Sequence, residues 1–395
     1  MATTIIKTIK PFGGDYTSLS AWEAGEQRDL VTANEIAVAE CYSMTDTAQV
    51  TVSGWTTDAT HYLHIYTPVT ERHAGKWDGT KYNISPSSGH GIYMAPGSGA
   101  DYVKIDGLQI RPKSPNYNSA LAGIHWGSAN GECTVDSCVF WGDLAVWQDP
   151  ISWGYAFGIE HVWVSGSTYN VIKVSNCIGY EFVDANNATS HNNYSAAFSE
   201  GNNQDTSYYE NCTSLNNAAG FYGNFTTVWK NCGDSGSAVP FTGGTQTTCS
   251  SITPVFVDAV NKDFHLASGD TTWKGAGTDL SADANYPITT DIDGETRTGT
   301  WDIGADECLA TGGGSILISG IAAGLSSSAG DTGLAYGAAG AVTGLSAMSV
   351  SAALSYALTG PLTGLSAFSG SAIRDFSVSG ATTGISGVTG LAGLG

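Results

Sequence analysis

The chain contains no run of 18 uninterrupted apolar residues, so no membrane-spanning helix is expected. Charge is sparse at 13% of residues, and only 15 Lys and Arg stand against 36 Asp and Glu, for a net charge of −21. A basic stripe is therefore lacking, which argues against nucleic acid as a partner. An acidic surface suits a soluble protein in salt-containing surroundings. Neither CxxC nor a Cys/His spacing suggests zinc, and no metal or cofactor is expected. Sustained helical periodicity is scarce too. The N-terminus, MATTIIKTIKPFGG, holds no apolar stretch long enough for a secretory signal.

What the chain does have is glycine (51), tyrosine (18) and tryptophan (11), with many short alternating runs. Val171–Phe182, VIKVSNCIGYEF, is the plainest: an alternating strand, an Asn-Cys pair, then a second short apolar run. The phrase returns in VKIDGLQI (103–110), TVDSCVFW (134–141), SYYENCTSL (207–215) and TVWKNCGDS (227–235). Cys138, Cys177, Cys212 and Cys232 fill one slot of it, and Gly107 is read as the fifth occupant. A second phrase precedes each: Gly91-Ile92, Gly123-Ile124, Gly158-Ile159, Ala197-Phe198 and Gly220-Phe221. Irregularly spaced units of short strands with Asn at the corners predict a solenoid with variable loops. The shared Cys slot predicts stacked buried thiols, with disulfides as the other reading; Cys41, Cys133, Cys249 and Cys308 have no assignment.

Residues 4–10 read as a strand and 16–30 as a helix, followed by strands at 36–42, 49–52 and 62–67. A helix here would cover the first coil, so residues 1–60 form an N-terminal cap region. With GGDYTSLSAWEAGE, IDGLQI, SNCIGYEF and ENCTSLNNAAGF, the chain resembles right-handed parallel β-helix proteins of the pectate-lyase-like class. Residues 255–307, with VFVDAVNKDFHLASGDTTWKGAGTDL and DIDGETRTGTWDIGADE, are similar to the closing segment of phage-encoded and bacterial β-helix proteins. The resemblance implies an all-β fold for residues 1–308, closed by 255–308. It implies no single activity, since this fold carries lyases, hydrolases, adhesins and inert spikes. In the closing segment, Phe256, Val257, Phe264 and Leu266 are expected to pack on the last coil. Asp291, Asp293, Glu295, Asp302 and Asp306 read as structural turn carboxylates, with calcium as the alternative.

Beyond Cys308 the composition changes. Residues 309–315 read as a Gly-rich linker. Residues 316–395 carry a 20-residue period in Gly324-Leu325-Ser326, Gly344-Leu345-Ser346, Gly364-Leu365-Ser366 and Gly384-Ile385-Ser386, and only Asp331, Arg374 and Asp375 are charged. Met348 to Leu358 alternate as one long strand. Either a β-meander or a narrow solenoid fits, and the tail resembles the Gly/Ser/Ala repeat tails of some tailed-phage virion proteins. A nearly uncharged sheet needs a partner, so this segment is expected to mediate oligomerisation (a homotrimer or another homo-oligomer) or attachment to other virion proteins.

For chemistry, paired carboxylates beside the coils would act on a glycosidic bond. Glu181, Asp184 and Glu200 are the catalytic candidates, and Trp153, Trp163, Tyr180 and Tyr194 the candidates for stacking on sugar rings. His125, His161 and His191 read as isolated, and Ser88-Gly89-His90-Gly91 as an accidental likeness to polygalacturonases. The expectation is a structural protein on a tailed-phage virion surface, as spike, fibre or capsid decoration, with host surface polysaccharide as a further partner. A polysaccharide depolymerase and a bacterial cell-surface adhesin are the alternatives.

Overall fold

The computed structural model describes residues 2–94, 97–112, 121–127, 130–142, 156–162, 169–182, 195–201, 206–224 and 226–308, and short strands between 316 and 391. Contacts divide the chain into two compact units, Met1–Cys308 and Leu309–Gly395.

From Glu35 to Thr242 every turn of the chain lays down three short strands in a fixed cycle. Sheet A has nine strands, from Thr3–Ile9 to Thr245–Thr247, and includes Tyr102–Asp106, Asn130–Asp136 and Tyr169–Ser175. Sheet B has seven, from Thr45–Asp46 through Val139–Trp141 and Ile178–Tyr180 to Gly233–Ser235. Sheet C also has seven, from Val50–Val52 through Leu121–Trp126 and Ala156–His161 to Val239–Thr242. The chain visits A, B and C in turn, and each strand pairs in parallel with its counterpart one coil away. This is a parallel β-helix; right-handed crossovers are the rule for such connections.

Inward positions stack like with like. Ile65, Ile105, Val135, Val174, Tyr209 and Trp229 form one register column in sheet A. Ile92, Ile124, Ile159, Phe198, Phe221 and Phe241 form another in sheet C. The glycines before this column have a steric reason: a Cβ on Gly123 would lie 2.6 Å from the Gly158 carbonyl oxygen. The core thus shifts from aliphatic to aromatic along the helix, and Phe198 stacks on Phe221 at 5.1 Å.

The corner between sheets A and B corrects one reading. Gly107 is not in the Cys slot; register aligns it with Ser137, Asn176, Asn211, Asn231 and Thr248, one residue earlier. All six have positive φ, between 49° and 66°, the conformation that Gly adopts freely and Asn tolerates best. The next residue is Leu108 and then Cys138, Cys177, Cys212, Cys232 and Cys249, so Cys249 joins the column. All eight cysteines are free thiols. The Asn side chains also tie coils together: Asn231 Nδ2 donates to Asn211 Oδ1 at 3.0 Å.

At the N-terminal end the helix Leu19–Glu26 is capped by Ser18, whose Oγ accepts from Ala21 N at 3.1 Å. It buries Leu19 and Trp22 completely. The closing segment meets the last coil, where the Trp273 ring lies against Gly233 and Thr278 Oγ1 is 2.9 Å from Thr248 Oγ1, and it extends well beyond that coil. Residues 255–308 run as a strap along the outward face of sheet B. Phe264, Ile292 and Ala305 bury Val139, Ile178, Tyr180 and Leu215, while Val257 stays 59% exposed. The strap reads the corner column directly. Gly304 N donates to Asn231 O at 2.8 Å, and Arg297 donates to Asn176 Oδ1 at 3.4 Å. The Arg297 side chain is fully buried, pairs with Glu307 at 3.0 Å and donates to Gly304 O and Ala305 O, each at 2.8 Å.

In the second unit the described strands pair in parallel at an offset of 20 residues: Ile316 with Tyr336, Tyr336 with Tyr356, and Tyr356 with Phe376. No antiparallel pair occurs among the described strands of this unit. Met348–Val350 and Leu354–Thr359 are strands with 351–353 outside the described residues, and both pair with the single strand Phe368–Ser379 one repeat later.

Candidate functional site

Because side chains alternate in and out along a strand, a parallel ladder places every outward residue beside its register partner, about 4.8 Å away. On sheet C the outward column is Thr51, Tyr93, His125, Glu160, Ser199 and Tyr222. The neighbours of Tyr93, His125 and Glu160 on either side (Ile92 and Met94, Ile124 and Trp126, Ile159 and His161) are buried in the coil. Tyr93 stacks on the His125 ring at 4.8 Å, and His90 lies 5.0 Å from both rings. His125 Nδ1 sits 2.8 Å from Glu160 Oε2. The carboxylate accepts a hydrogen bond from Nδ1–H, and no described group bonds to Nε2. His90 Nδ1 accepts from Ala122 N at 3.0 Å, and burial with His125 beside it pushes its pKa down to about 4. The result is a polar aromatic stripe that crosses the coils.

One position further along, the next column turns inward. His161 Nδ1 meets Glu200 Oε2 at 2.7 Å, and both side chains are fully buried. Ser207 Oγ is 3.4 Å from the same nitrogen. The histidines that look isolated in sequence are therefore paired: His125 with Glu160 and His161 with Glu200, 35 and 39 residues away. His191 lies outside the described residues.

The two described candidate carboxylates, Glu181 and Glu200, do not converge. Glu200 is 1% exposed and faces the core. Glu181 has φ 62° at the far end of sheet B, accepts from Trp141 Nε1 at 2.9 Å and pairs with Lys262 of the strap. Tyr180 is 1% exposed beneath Phe264, so its ring packs on the strap. Asp184, Trp153, Trp163 and Tyr194 lie outside the described residues.

Of the closing-segment carboxylates, Asp291 Oδ1 accepts from Asp293 N and Glu295 N, at 3.0 and 2.9 Å. Asp302 accepts from Gly275 N and Cys308 N at 2.5 and 2.7 Å. Both serve as turn carboxylates. Ligating atoms of His265, Asp293 and Asp306 lie within 4.8 Å of one another. However, His265 bonds Asp293 through Nε2 at 2.9 Å and Asp263 through Nδ1. Burial opposes its charge, but Asp293, Asp306 and Asp263 outweigh it and push the pKa up to about 10. Both ring nitrogens of His265 are thus bonded to carboxylates, those of Asp293 and Asp263.

No family model matches the chain, and no curated protein matches it. Among solved structures the chain is similar to the crystal structure of pectate lyase Pel9A, at 12% identity and a TM-score of 0.29. The match covers 78% of this chain and 97% of that one.

Proposed function

We propose that the protein is a structural surface component of a tailed-phage virion (a spike, fibre or capsid decoration) whose β-helix binds host surface polysaccharide. The observation that supports binding is the outward column Tyr93, His125 and Glu160. Aromatic faces and hydrogen-bonding groups repeat there at the coil spacing, which suits an extended polymer lying across several coils. Residues 316–395 then supply self-association or attachment through their repeated strands. The test is binding of purified bacterial surface polysaccharides to full-length protein, beside Tyr93→Ala and His125→Ala. A polysaccharide bound by the native chain and lost from both variants supports the reading. Retention in both places the binding surface elsewhere.

A depolymerase is the second reading, favoured by the His125–Glu160 pair, whose carboxylate orients the imidazole as a base. Release of new chain ends that disappears in His125→Ala, while binding persists in Glu160→Gln, would select it. Recovery of the protein in cell-surface fractions, and never in purified particles, would select the adhesin.

A further inference from the structure

A second site lies away from sheet C. Residues 69–81 leave sheet A after Leu63–Tyr66 and rejoin the coil at the sheet B strand Asn83–Ile84. Buried Gln109 holds this loop: Nε2 donates to Asp78 O at 2.9 Å and to Tyr82 O at 3.1 Å, and Oε1 accepts from Asp78 N. The strap faces it, with Lys76 on Asp263 at 2.9 Å. Between loop and strap is a cavity of about 720 Å³, within the roughly 300–1,000 Å³ common for small-ligand sites.

The cavity gathers Arg72, Lys76 and Lys81 into its wall, in a chain with only 15 basic residues. Most charges there are already answered. Lys76 pairs with Asp263, Asp293 with His265, and Asp78 Oδ1 accepts from Thr80 N and Oγ1. Glu295 adds one carboxylate at the exposed rim.

Two cations are left over. Arg72 donates through Nε to Thr67 O at 2.8 Å and lies against Gly107, where an added Cβ would sit 2.2 Å from that nitrogen. Its stem is thus positioned, while its terminal nitrogens have no protein partner among the described residues. The Lys81 ammonium makes no hydrogen bond or ion pair there either; the residue is bonded through its backbone, N–H to Asp78 O at 3.0 Å. His73, 2% exposed, donates Nε2–H to Ser137 O at 2.9 Å, which leaves its buried Nδ1 an acceptor without a donor. Trp77 supplies an aromatic wall.

The geometry points to this cavity as a binding site for a pyranose bearing an anionic group. Its ring lies on Trp77, and its carboxylate or phosphate sits between Arg72 and Lys81. Planar, charge-assisted bonds from Arg72 supply most of the selectivity. The site is independent of the stripe on sheet C.

Calorimetric titration of the full-length protein with glucuronate, glucose 6-phosphate and glucose tests it. At least one charged sugar should bind, with glucose about tenfold weaker or worse. Arg72→Ala and Lys81→Met should each weaken that binding by about tenfold, and Tyr93→Ala should leave it unchanged. Should Arg72→Ala fail to fold, Lys81→Met with an unchanged melting temperature decides alone. The better of the two charged sugars identifies carboxylate or phosphate as the group held. Equal binding of glucose, undiminished binding by Lys81→Met, or no heat from any sugar at about 10 mM overturns the assignment.

Discussion

Sheet B turns Val139, Ile178, Tyr180 and Leu215 outward, and the strap covers all four. Sheet C turns Tyr93, His125, Glu160 and Ser199 outward at the equivalent rung of its own ladder. The two flanks share backbone geometry and differ only in what alternate residues carry. An apolar outward column needs a cover, and this chain supplies one in its own residues 255–308. On sheet C the column is polar and aromatic, with Ser199 buried and the His125 and Glu160 side chains 14% and 15% exposed. The chemistry of outward positions thus separates an apolar flank covered by the strap from a polar one that the strap leaves alone.

Breaking the strap should have the largest effect. Arg297→Ala leaves Glu307 buried without its partner and frees two carbonyls, at a cost of about 3–5 kcal/mol, read by urea denaturation. An unchanged midpoint would mean the strap contributes little to the body. Next comes the corner that the strap reads. Asn231→Ala loses the bonds to Asn211 Oδ1 and Thr278 O and keeps the positive φ, for about 1–3 kcal/mol. Asn231→Gly should lose less, because only the bonds go. Gly123→Ala tests sheet C at its backbone, where the added methyl meets the Gly158 carbonyl and should cost about 1–3 kcal/mol.

A smaller effect concerns pH and again falls on the strap. Burial pushes the Asp306 pKa up to about 7 and that of Asp291 up to about 6, from an ordinary 3.8. A raised carboxylate binds its proton more tightly in the folded state, so its stabilising contribution is full below pH 3.8 and is lost as pH rises through 6 to 7. Asp306→Asn should therefore lose less stability than the native chain between pH 5 and 8, as followed by melting temperature. The smallest stability change belongs to the open flank: Tyr93→Ala should shift unfolding by no more than about 1 kcal/mol while abolishing polysaccharide binding. A large loss of stability would make Tyr93 part of the packing instead.

Much of the helix was legible because its rules are local. Alternation located the strands of sheet A, and the Gly-Ile and Gly-Phe phrases marked one inward column of sheet C through five coils. The Asn-Cys phrase marked the corner, displaced by one residue at Gly107, since Gly and Asn share a backbone conformation there rather than a side-chain slot. The site was less legible. His125 and Glu160 are 35 residues apart, and their pairing depends on coil length, which no local pattern states. Glu200 reads as a carboxylate beside the coils, and only the in-or-out phase of Ala196–Glu200 sends it into the core. The strap escaped notice because apolar residues such as Phe264 look the same whether they cover an end or a flank.

The corner column has a consequence for how such a chain can change. Forty residues separate Tyr66 from its register partner Asp106, yet only 17 separate Lys230 from Thr247, and the ladder runs through both unbroken. From Gly107 to Thr248 each coil is re-indexed at the same left-handed step, so the length of the excursion between two steps does not propagate to the next coil. Segments can be lengthened, shortened or exchanged one coil at a time, and the molecule can acquire new surfaces without renegotiating its core.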